Sequence, residues 1–326
     1  MTKKLTEVQL TIHRSAHSIG GNCIELSTSE GGRLILDMGR PLDAPRGAEG
    51  LLPETLDTSK PVDGVLISHP HLDHYGLLED LPADWPVWCG EAAGALMRMT
   101  TGLFGEPMPA QSHHWQHGKV SHIGPFAITP YLTDHSAFDA YMLQIDVAGK
   151  RIFYTGDFRL HGRKGSLVQK LMASPPPGID VLLMEGTNLG TDKPTRDENA
   201  LEDAFVSLFS ETAGRVFVNW SAQNIDRTLT LYRACLKTQR KLVIDLYTAE
   251  VLETLAAFGR IPQPDWQAIK VLVSRNLANK YRKDGKGAFV DRMARNGVAV
   301  HHLEYNKSRW VIMTRQVLVK EYEAKG

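Results

Sequence analysis

Residues 68–76 read SHPHLDHYG and follow directly on the apolar run GVLI. Three histidines and one aspartate fall within six positions, in the spacing HxHxDH. Alternate side chains of an extended loop can point at one centre, so His69 and His71 can bind one ion while Asp73 and His74 turn toward a second. A carboxylate among imidazoles is typical of a catalytic metal centre with open positions. The alternative is a polar surface loop with clustered histidines, but the spacing favours a metal site.

Two further candidate ligands lie downstream, each at the end of an apolar strand. They are His135 in TDHSAFDAY and Asp157 in YTGDFRLHGRKG. Strands that end at one edge of a sheet bring their following loops together, so both residues can reach the edge that carries HxHxDH. Either residue alone is more often structural. Together with the first loop they predict a dinuclear centre.

The composition is that of a globular protein without an overall attraction for polyanions. The 326 residues allow about two domains, and 37 basic residues balance 37 acidic ones. Any binding of nucleic acid must then depend on local patches. The three cysteines form no CxxC pair, and no apolar run has membrane-spanning length. We therefore expect a cytoplasmic protein without a membrane segment.

The pattern of elements changes near Thr195. Before it, short alternating runs such as VQLTIH, NCIELST and RLILDMG predict strands, beginning with an antiparallel meander. After it, helical segments alternate with the strand-like runs RVFVNW, KLVIDLYT, AIKVLVS and VAVHHLEY, which predicts a parallel sheet. We expect one domain over residues 1–195 and a second over residues 196–326.

Several of these motifs together resemble a known family. HPHLDH, the HS of DHSAFDAY, and GDF resemble the second, third and fourth motifs of the metallo-β-lactamase fold, and LILDMG resembles its first. FRLHGRKG, LLMEGTN and FVNWSAQNIDR resemble its β-CASP branch, the nucleic-acid-processing enzymes that include ribonuclease J and the mRNA 3′-end endonucleases. The resemblance runs from about residue 19 to residue 315. It implies an α/β protein, with a metallo-β-lactamase αββα sandwich and a Rossmann-like β-CASP domain.

The resemblance implies six ligands for two zinc ions. They are His69, His71 and His135 for the first zinc, Asp73 and His74 for the second, and Asp157 as the bridge between them. Asp37, in LILDMG, would orient the ligand loop by hydrogen bonds. Glu185 matches an acidic residue of the β-CASP branch and is a candidate catalytic residue; the alternative is an ordinary helix-start or loop acid.

The implied reaction is the hydrolysis of phosphodiester bonds in RNA, leaving a 5′-phosphate on the downstream product. Two zinc ions about 3.5 to 4 Å apart can share a hydroxide whose parent water has a pKa near 7. We expect Asp73 to orient or deprotonate that water. The alternatives are a nucleic-acid-binding derivative without complete catalytic machinery, and a small-molecule ester or lactam hydrolase of the same fold.

Six residues are candidates for substrate binding. They are Ser221, Gln223, Asn224 and Arg227 in WSAQNIDR, and Arg159 and His161 just after the bridging aspartate. The first four open a predicted helix, where free N–H groups favour a phosphate, although simple helix capping is an equal alternative. The last two follow the metal ligands closely enough to line the same cleft.

The sequence departs from the β-CASP pattern after Asp157. In that branch the lactamase-type domain resumes after the β-CASP unit and brings two more histidines, one of them in a Ser-Gly-His motif. Here the histidines after Asp157 are His161, His301 and His302, and none lies in such a motif. We therefore expect a weaker second zinc site, or one completed by water, another chain or a further segment. A homodimer is a further expectation from the resemblance.

Overall fold

The structure, a computed structural model, describes residues 6–45, 47–104, 112–192 and 194–315. It divides into two compact units, the first formed by Met1–Leu160 with Lys164–Pro194 and the second by His161–Arg163 with Thr195–Gly326. The assignment of residues 1–195 and 196–326 to a lactamase-type and a β-CASP domain stays a prediction.

The first sheet of the first unit has six strands in sequential order. They are β1 (Val8–Arg14), β2 (Cys23–Thr28), β3 (Arg33–Leu36), β4 (Gly64–Leu66), β5 (Val87–Gly90) and β6 (Ser112–Trp115). The first three pair antiparallel, as the alternating pattern predicts, and the remaining pairs are parallel. The parallel strand β4 is wholly buried, which explains its uniformly apolar sequence. Two helices, α1 (Leu72–Tyr75) and α2 (Glu91–Phe104), follow β4 and β5.

The second sheet has five strands in the order β11-β10-β9-β8-β7. They are β7 (Ser121–Ile123), β8 (Phe126–Leu132), β9 (Tyr141–Val147), β10 (Lys150–Tyr154) and β11 (Val181–Leu183). The Val-Ala-Gly-Lys turn joins β9 and β10 as an antiparallel hairpin. Ala148 and Gly149 both have positive φ, at 49° and 74°, as a type I′ turn requires. Helix α3 (Gly165–Ala173) connects β10 to β11, and β11 pairs with β10 in parallel.

The two sheets pack face to face over one apolar core. This core contains Leu34 and Leu36 of the first sheet together with Ile128 and Leu143 of the second. Because side chains alternate along a strand, Ile35 points the other way and packs in a separate cluster with Met97 of α2. Val168 of α3 packs on the outer side of the second sheet with Met142 and Phe153. The layers are therefore helix, sheet, sheet and helix, which confirms the predicted αββα sandwich.

The second unit is built on a parallel sheet in the order β12-β15-β13-β14. Its strands are β12 (Val216–Asn219), β13 (Lys241–Asp245), β14 (Ile269–Leu272) and β15 (Trp310–Thr314). Its helices are α4 (Glu198–Glu211), α5 (Ile225–Lys237), α6 (Leu246–Leu255), α7 (Arg275–Lys283) and α8 (Gly287–Arg295). The predicted parallel sheet with alternating helices is confirmed.

The strand predicted at VAVHHLEY is wrong. Val300–Glu304 forms a short 3-10 helix instead, and the fourth strand of the sheet is β15. Within this segment only Val298 and Leu303 are buried, and their spacing fits neither face of a strand. In the described parts of the chain, none of the helices combines the length and apolar character that a membrane span requires.

Candidate metal centre

The ligand loop leaves the carboxyl end of the parallel strand β4. The chain bends over residues 68–70, where the His71 N–H donates to the His69 carbonyl at 3.1 Å. His71 itself stands at the N-terminal boundary of α1 with φ −99° and ψ 144°, and the single turn of α1 then carries Asp73 and His74. This change from bend to helix directs the two halves of HxHxDH to different positions. Loops beyond the carboxyl ends of parallel strands are the usual place for binding sites in α/β proteins.

Three imidazoles converge on one point. His71 Nδ1 lies 3.1 Å from His69 Nε2 and 3.1 Å from His135 Nε2. Nitrogen ligands about 2.0 to 2.1 Å from a tetrahedral zinc ion stand about 3.3 Å apart, so the observed spacing fits a metal ion at the centre. The Ser68 hydroxyl lies 3.0 Å from His69 Nδ1 and donates to Asp37, so it accepts the Nδ1 proton and leaves Nε2 free to bind.

A second group of ligand atoms shares His69 with the first. His69, His74 and Asp157 form this group, whose ligand atoms all lie within 4.8 Å of one another. His74 Nε2 stands 3.4 Å from an Asp157 carboxylate oxygen. Asp73 lies slightly farther out, 3.8 Å from the same nitrogen. The structure therefore brings together all six residues that the resemblance implies as ligands.

Asp37 holds the ligand loop from behind. Its carboxylate accepts hydrogen bonds from the Ser68 N–H (2.7 Å) and hydroxyl (2.8 Å), from His74 Nδ1 (2.7 Å) and from the Tyr154 hydroxyl (2.5 Å). Asp37 is fully buried, and its φ of 56° lies in the left-handed region. Asp is among the few side chains that tolerate this conformation. These contacts place Asp37 where it orients His74, the position that the sequence predicts for it.

Burial and charge divide the four histidines into two kinds. Burial lowers the pKa of His69 well below its ordinary value, lowers that of His71, and lowers that of His135 to about 3; neighbouring imidazoles add to each effect. Neutral imidazoles with free lone pairs are what a cation requires. Burial also lowers the pKa of His74, but the Asp37 and Asp157 carboxylates outweigh it and raise the value to about 10.

The pKa of Asp157 is shifted in the opposite direction to that of His74. Burial raises the pKa of its carboxyl, but the hydrogen bond and the charge of His74 outweigh burial and lower the pKa below its usual range. The carboxylate is thus ionised beside a protonated imidazole when no metal is bound. A divalent cation bound at His74 Nε2 would replace that proton, so the donor set fits a metal.

A cavity of about 500 Å³ opens beside these ligands. Asp73, His74 and Asp157 form part of its wall, and the loop of residues 14–22 and Glu185 form another part. The Glu185 carboxylate accepts a hydrogen bond of 2.7 Å from the Phe158 N–H, next to the candidate bridging ligand. The structure thus gives Glu185 a positioning role, and its catalytic role stays a prediction.

The loop of residues 14–22 contains a residue that the sequence patterns did not reveal. His17 lies on this loop and lines the cavity. The Ser15 hydroxyl closes the loop by donating to the Gly20 carbonyl at 2.6 Å, and the N–H groups of Gly21 and Asn22 both donate to the Asp73 carbonyl. No short motif surrounds His17, and only the tertiary contacts bring this loop to the ligands.

Arg159 and His161, the two candidates that follow Asp157, both form hydrogen bonds within the protein. The Arg159 N–H donates to the Asp134 carbonyl at 2.7 Å, and its Nε lies 3.5 Å from the fully buried Asp134 carboxylate. The His161 carbonyl accepts from the Glu198 N–H within the second unit. Arg159 therefore supports the segment that carries His135. Substrate binding by these two residues stays a prediction.

The other predicted substrate-binding residues lie at the start of α5 in the second unit. Asn224 Oδ1 accepts from the Arg227 N–H at 3.1 Å, so Asn224 caps the helix. The Arg227 guanidinium pairs with Glu198 at 3.1 Å, and Gln223 Nε2 donates to the Tyr247 hydroxyl at 2.8 Å. Ser221 is exposed. The capping alternative is thus observed, and a phosphate pocket here stays a prediction.

Comparison with known proteins identifies the family. Residues 19–209 match the metallo-beta-lactamase superfamily. The chain belongs to this superfamily, and the geometry of the ligand loop is consistent with that membership.

The chain is similar to proteins named ribonuclease J, which confirms the resemblance to the β-CASP branch. It is 24% identical to Ribonuclease J of Helicobacter pylori over 263 residues, covering 73% of this chain and 36% of that protein. It is 26% identical to Ribonuclease J 1 of Streptococcus pyogenes over 269 residues, covering 79% of this chain and 44% of that protein. The chain thus spans less than half the length of these relatives.

A solved structure has the same fold. It is a protein of unknown function from Enterococcus faecalis, with a TM-score of 0.71, 18% sequence identity, and coverage of 95% of this chain and 77% of that chain. At this level of identity the likeness shows the fold alone.

Proposed function

We propose that this chain is a zinc-dependent hydrolase that cleaves phosphodiester bonds in RNA. The observation that carries the proposal is the convergence of His69, His71 and His135 beside His74 and Asp157, of which His74 and Asp157 line one cavity. The similarity to proteins named ribonuclease J supports RNA as the substrate. A cytoplasmic location is supported by three cysteines that are all unpaired.

The side chains have distinct roles in this proposal. His69, His71 and His135 hold the first zinc, and His74 with Asp157 and Asp73 holds the second. When bound, the ions would act as Lewis acids on the phosphate and would lower the pKa of a water molecule. Asp73, whose side chain is 18% exposed, is placed to orient a water molecule in the cavity and to accept its proton. Asp37 keeps the His74 ring in position throughout.

The two zinc sites differ in strength in this proposal. The first has three neutral imidazoles whose nitrogens are spaced closely enough to share one zinc ion. The second depends on His74, which must lose a proton before it can bind, and on carboxylates. Calorimetric titration of metal-free protein with zinc should give one tight and one weaker phase, the weaker one releasing more protons. Two equally tight zinc ions per chain would contradict this difference.

A cleavage assay with three substrates tests the activity. Zinc-loaded protein is incubated with labelled 5′-monophosphorylated RNA, with DNA of the same sequence, and with a lactam or thioester. The variant His71→Ala removes a ligand of the first zinc. His122→Ala is the matched control, because His122 is exposed on β7 and is not part of the ligand groups. We expect RNA cleavage by wild type and by His122→Ala, and none by His71→Ala.

The other outcomes identify the alternatives. RNA binding without cleavage, in protein that holds zinc, would assign a nucleic-acid-binding derivative. Turnover of the lactam or thioester alone would assign a small-molecule hydrolase. The predicted homodimer is measured separately by light scattering in solution.

A further inference from the structure

Four cations mark the start of the four parallel strands in the second unit. Arg215 directly precedes β12, Arg309 directly precedes β15, Lys241 opens β13, and Lys270 is the second residue of β14. Parallel strands begin at one edge of their sheet, and the register pairs Lys241 with Trp310, next to Arg309. Adjacent strands are about 4.8 Å apart, so these cations extend over roughly 14 Å of this edge.

No acid neutralises this edge among the residues that the structure describes. None of the four cations forms an ion pair with a carboxylate there. Lys241 Nζ donates to the Gln267 carbonyl at 2.7 Å, and Arg309 lies over the Trp310 ring at 5.4 Å. Other cations of the same unit, such as Lys237 and Lys286, do pair with acids. Since the chain has equal numbers of basic and acidic residues, this edge is a local excess of positive charge.

A cavity of about 260 Å³ lies at the same edge. Arg240, Lys241, Gln239 and Gln267 line it, together with apolar residues at the end of α5. Its volume is several times the roughly 30 Å³ of a water molecule. The Lys241 ammonium has N–H groups beyond the one that donates to the Gln267 carbonyl, and these are the donors that an anion requires.

Arg240 gives this cavity a fixed positive charge. The residue is only 5% exposed, and its guanidinium donates to the carbonyls of Phe209, Thr212 and Gly214. These carbonyls lie at the C-terminal end of α4, where a helix favours a cation. Carbonyl oxygens hold the guanidinium in place without cancelling its charge. The wall of the cavity therefore stays positive.

The clustered cations also repel one another. Burial lowers the pKa of Lys241, and the charges of Arg309 and Lys270 lower it further. A group of like charges destabilises the free protein, whereas a bound anion relieves the repulsion. Unpaired clusters of this kind are typical of sites that bind polyanions.

We propose that this cavity and the adjoining strand edge bind phosphate groups of a polynucleotide backbone, through residues other than those of the metal centre. An edge about 14 Å long, from the strand spacing, is long enough to contact more than one phosphate of a single polynucleotide strand. That the ligand is a polynucleotide rests on the proposed function, whereas the binding of phosphate groups is inferred from the cations themselves. Free phosphate is the other source of the same chemistry.

The test compares binding of a short single-stranded RNA by variants of the full chain. All carry His71→Ala so that the RNA stays intact. Lys241→Gln with Lys270→Gln removes two unpaired cations. The matched control, Arg282→Gln with Arg292→Gln, removes two cations that pair with Asp291 and Glu253. We expect the first pair to weaken RNA binding several-fold and to reduce the slope of log affinity against log salt by about 1.4. The control pair should leave the slope unchanged.

Melting temperatures are measured without ligand, with RNA and with inorganic phosphate, the two sources of phosphate groups. Without ligand, Lys270→Gln should melt at a higher temperature than its parent, because repulsion is relieved. RNA should raise the melting temperature of the parent more than of the variant. An unchanged salt slope overturns the proposal, whether or not inorganic phosphate alone stabilises the parent. Hydrolysis of bis-p-nitrophenyl phosphate by protein with His71 intact tests the metal centre separately. If this hydrolysis is not observed, the proposed phosphate-binding edge is unaffected.

Discussion

Asp37→Asn tests how the ligand loop is held. The carboxylate accepts four hydrogen bonds, three of them at one oxygen and one, from the Ser68 N–H, at the other. Asparagine has the same shape but only one acceptor oxygen, and its amide nitrogen donates. Whichever way the amide is turned, its NH₂ group faces an N–H donor, either that of Ser68 or that of His74 Nδ1. The substitution therefore leaves donors opposed inside a dry site.

The expected effect is large because the site is fully buried. Breaking a buried charge pair by removing one partner costs about 3–5 kcal/mol. We expect the free energy of unfolding of the metal-free protein to fall by this amount. Loss of the carboxylate also removes a main cause of the raised His74 pKa. Because the orientation of His74 is lost as well, metal affinity should fall about 10- to 100-fold.

Urea unfolding of the metal-free protein and zinc titration of the folded protein measure these two effects. Asp146→Asn is the matched control, because Asp146 pairs with Arg151 at 2.6 Å with both side chains about one-third exposed. An exposed pair contributes about 0–1 kcal/mol, and zinc affinity should not change. If Asp37→Asn unfolds within 1 kcal/mol of wild type and binds zinc equally well, the proposed support of the ligand loop is refuted.

Four further results are expected. Gly39→Ala should abolish metal binding, because a Cβ there would lie 1.7 Å from the Asp73 carbonyl oxygen. Its control is Gly102→Ala in α2, where a Cβ would have no neighbour within 4 Å; this substitution should stabilise the protein by about 0.5–1 kcal/mol in thermal melts. The three cysteines, whose burial raises each thiol pKa to about 12, should react with Ellman's reagent only after unfolding. In metal-free protein the pKa of His74 is raised to about 10, so protonated His74 stabilises the folded state fully below pH 6.5, and this stabilisation is lost as the pH rises toward 10. The difference in unfolding free energy between wild type and His74→Gln, measured in urea, should therefore shrink between pH 6.5 and 10. Arg240→Met should lower the unfolding free energy by roughly 2–3 kcal/mol, because its carbonyl contacts are charge-assisted.

The convergence of the candidate ligands could be predicted from sequence because they lie in short motifs at strand ends. Spacing alone places His69, His71 and His74 on one loop, and the local rule about strand ends brings His135 and Asp157 to the same edge. Tyr154 could not be predicted as a support for Asp37, because 117 residues separate the two and only the packing of the sheets joins them. For the same reason the place of β15 between β12 and β13 is not visible in a list of strands.

The ligand positions are set by backbone contacts that need no metal. Gly39 leaves room for the Asp73 carbonyl, which in turn accepts N–H groups from Gly21 and Asn22. The Met38 N–H donates to the His74 carbonyl at 2.7 Å. Segments far apart in sequence thus fix α1 before any ion arrives. In many small metal-binding domains the free energy of metal binding drives folding, which lowers the observed metal affinity. In a site that is already folded without metal, that free energy contributes to metal affinity instead. The strained φ of Asp37 and its buried charge are tolerable for the same reason, since the surrounding contacts determine one geometry for both ligand groups.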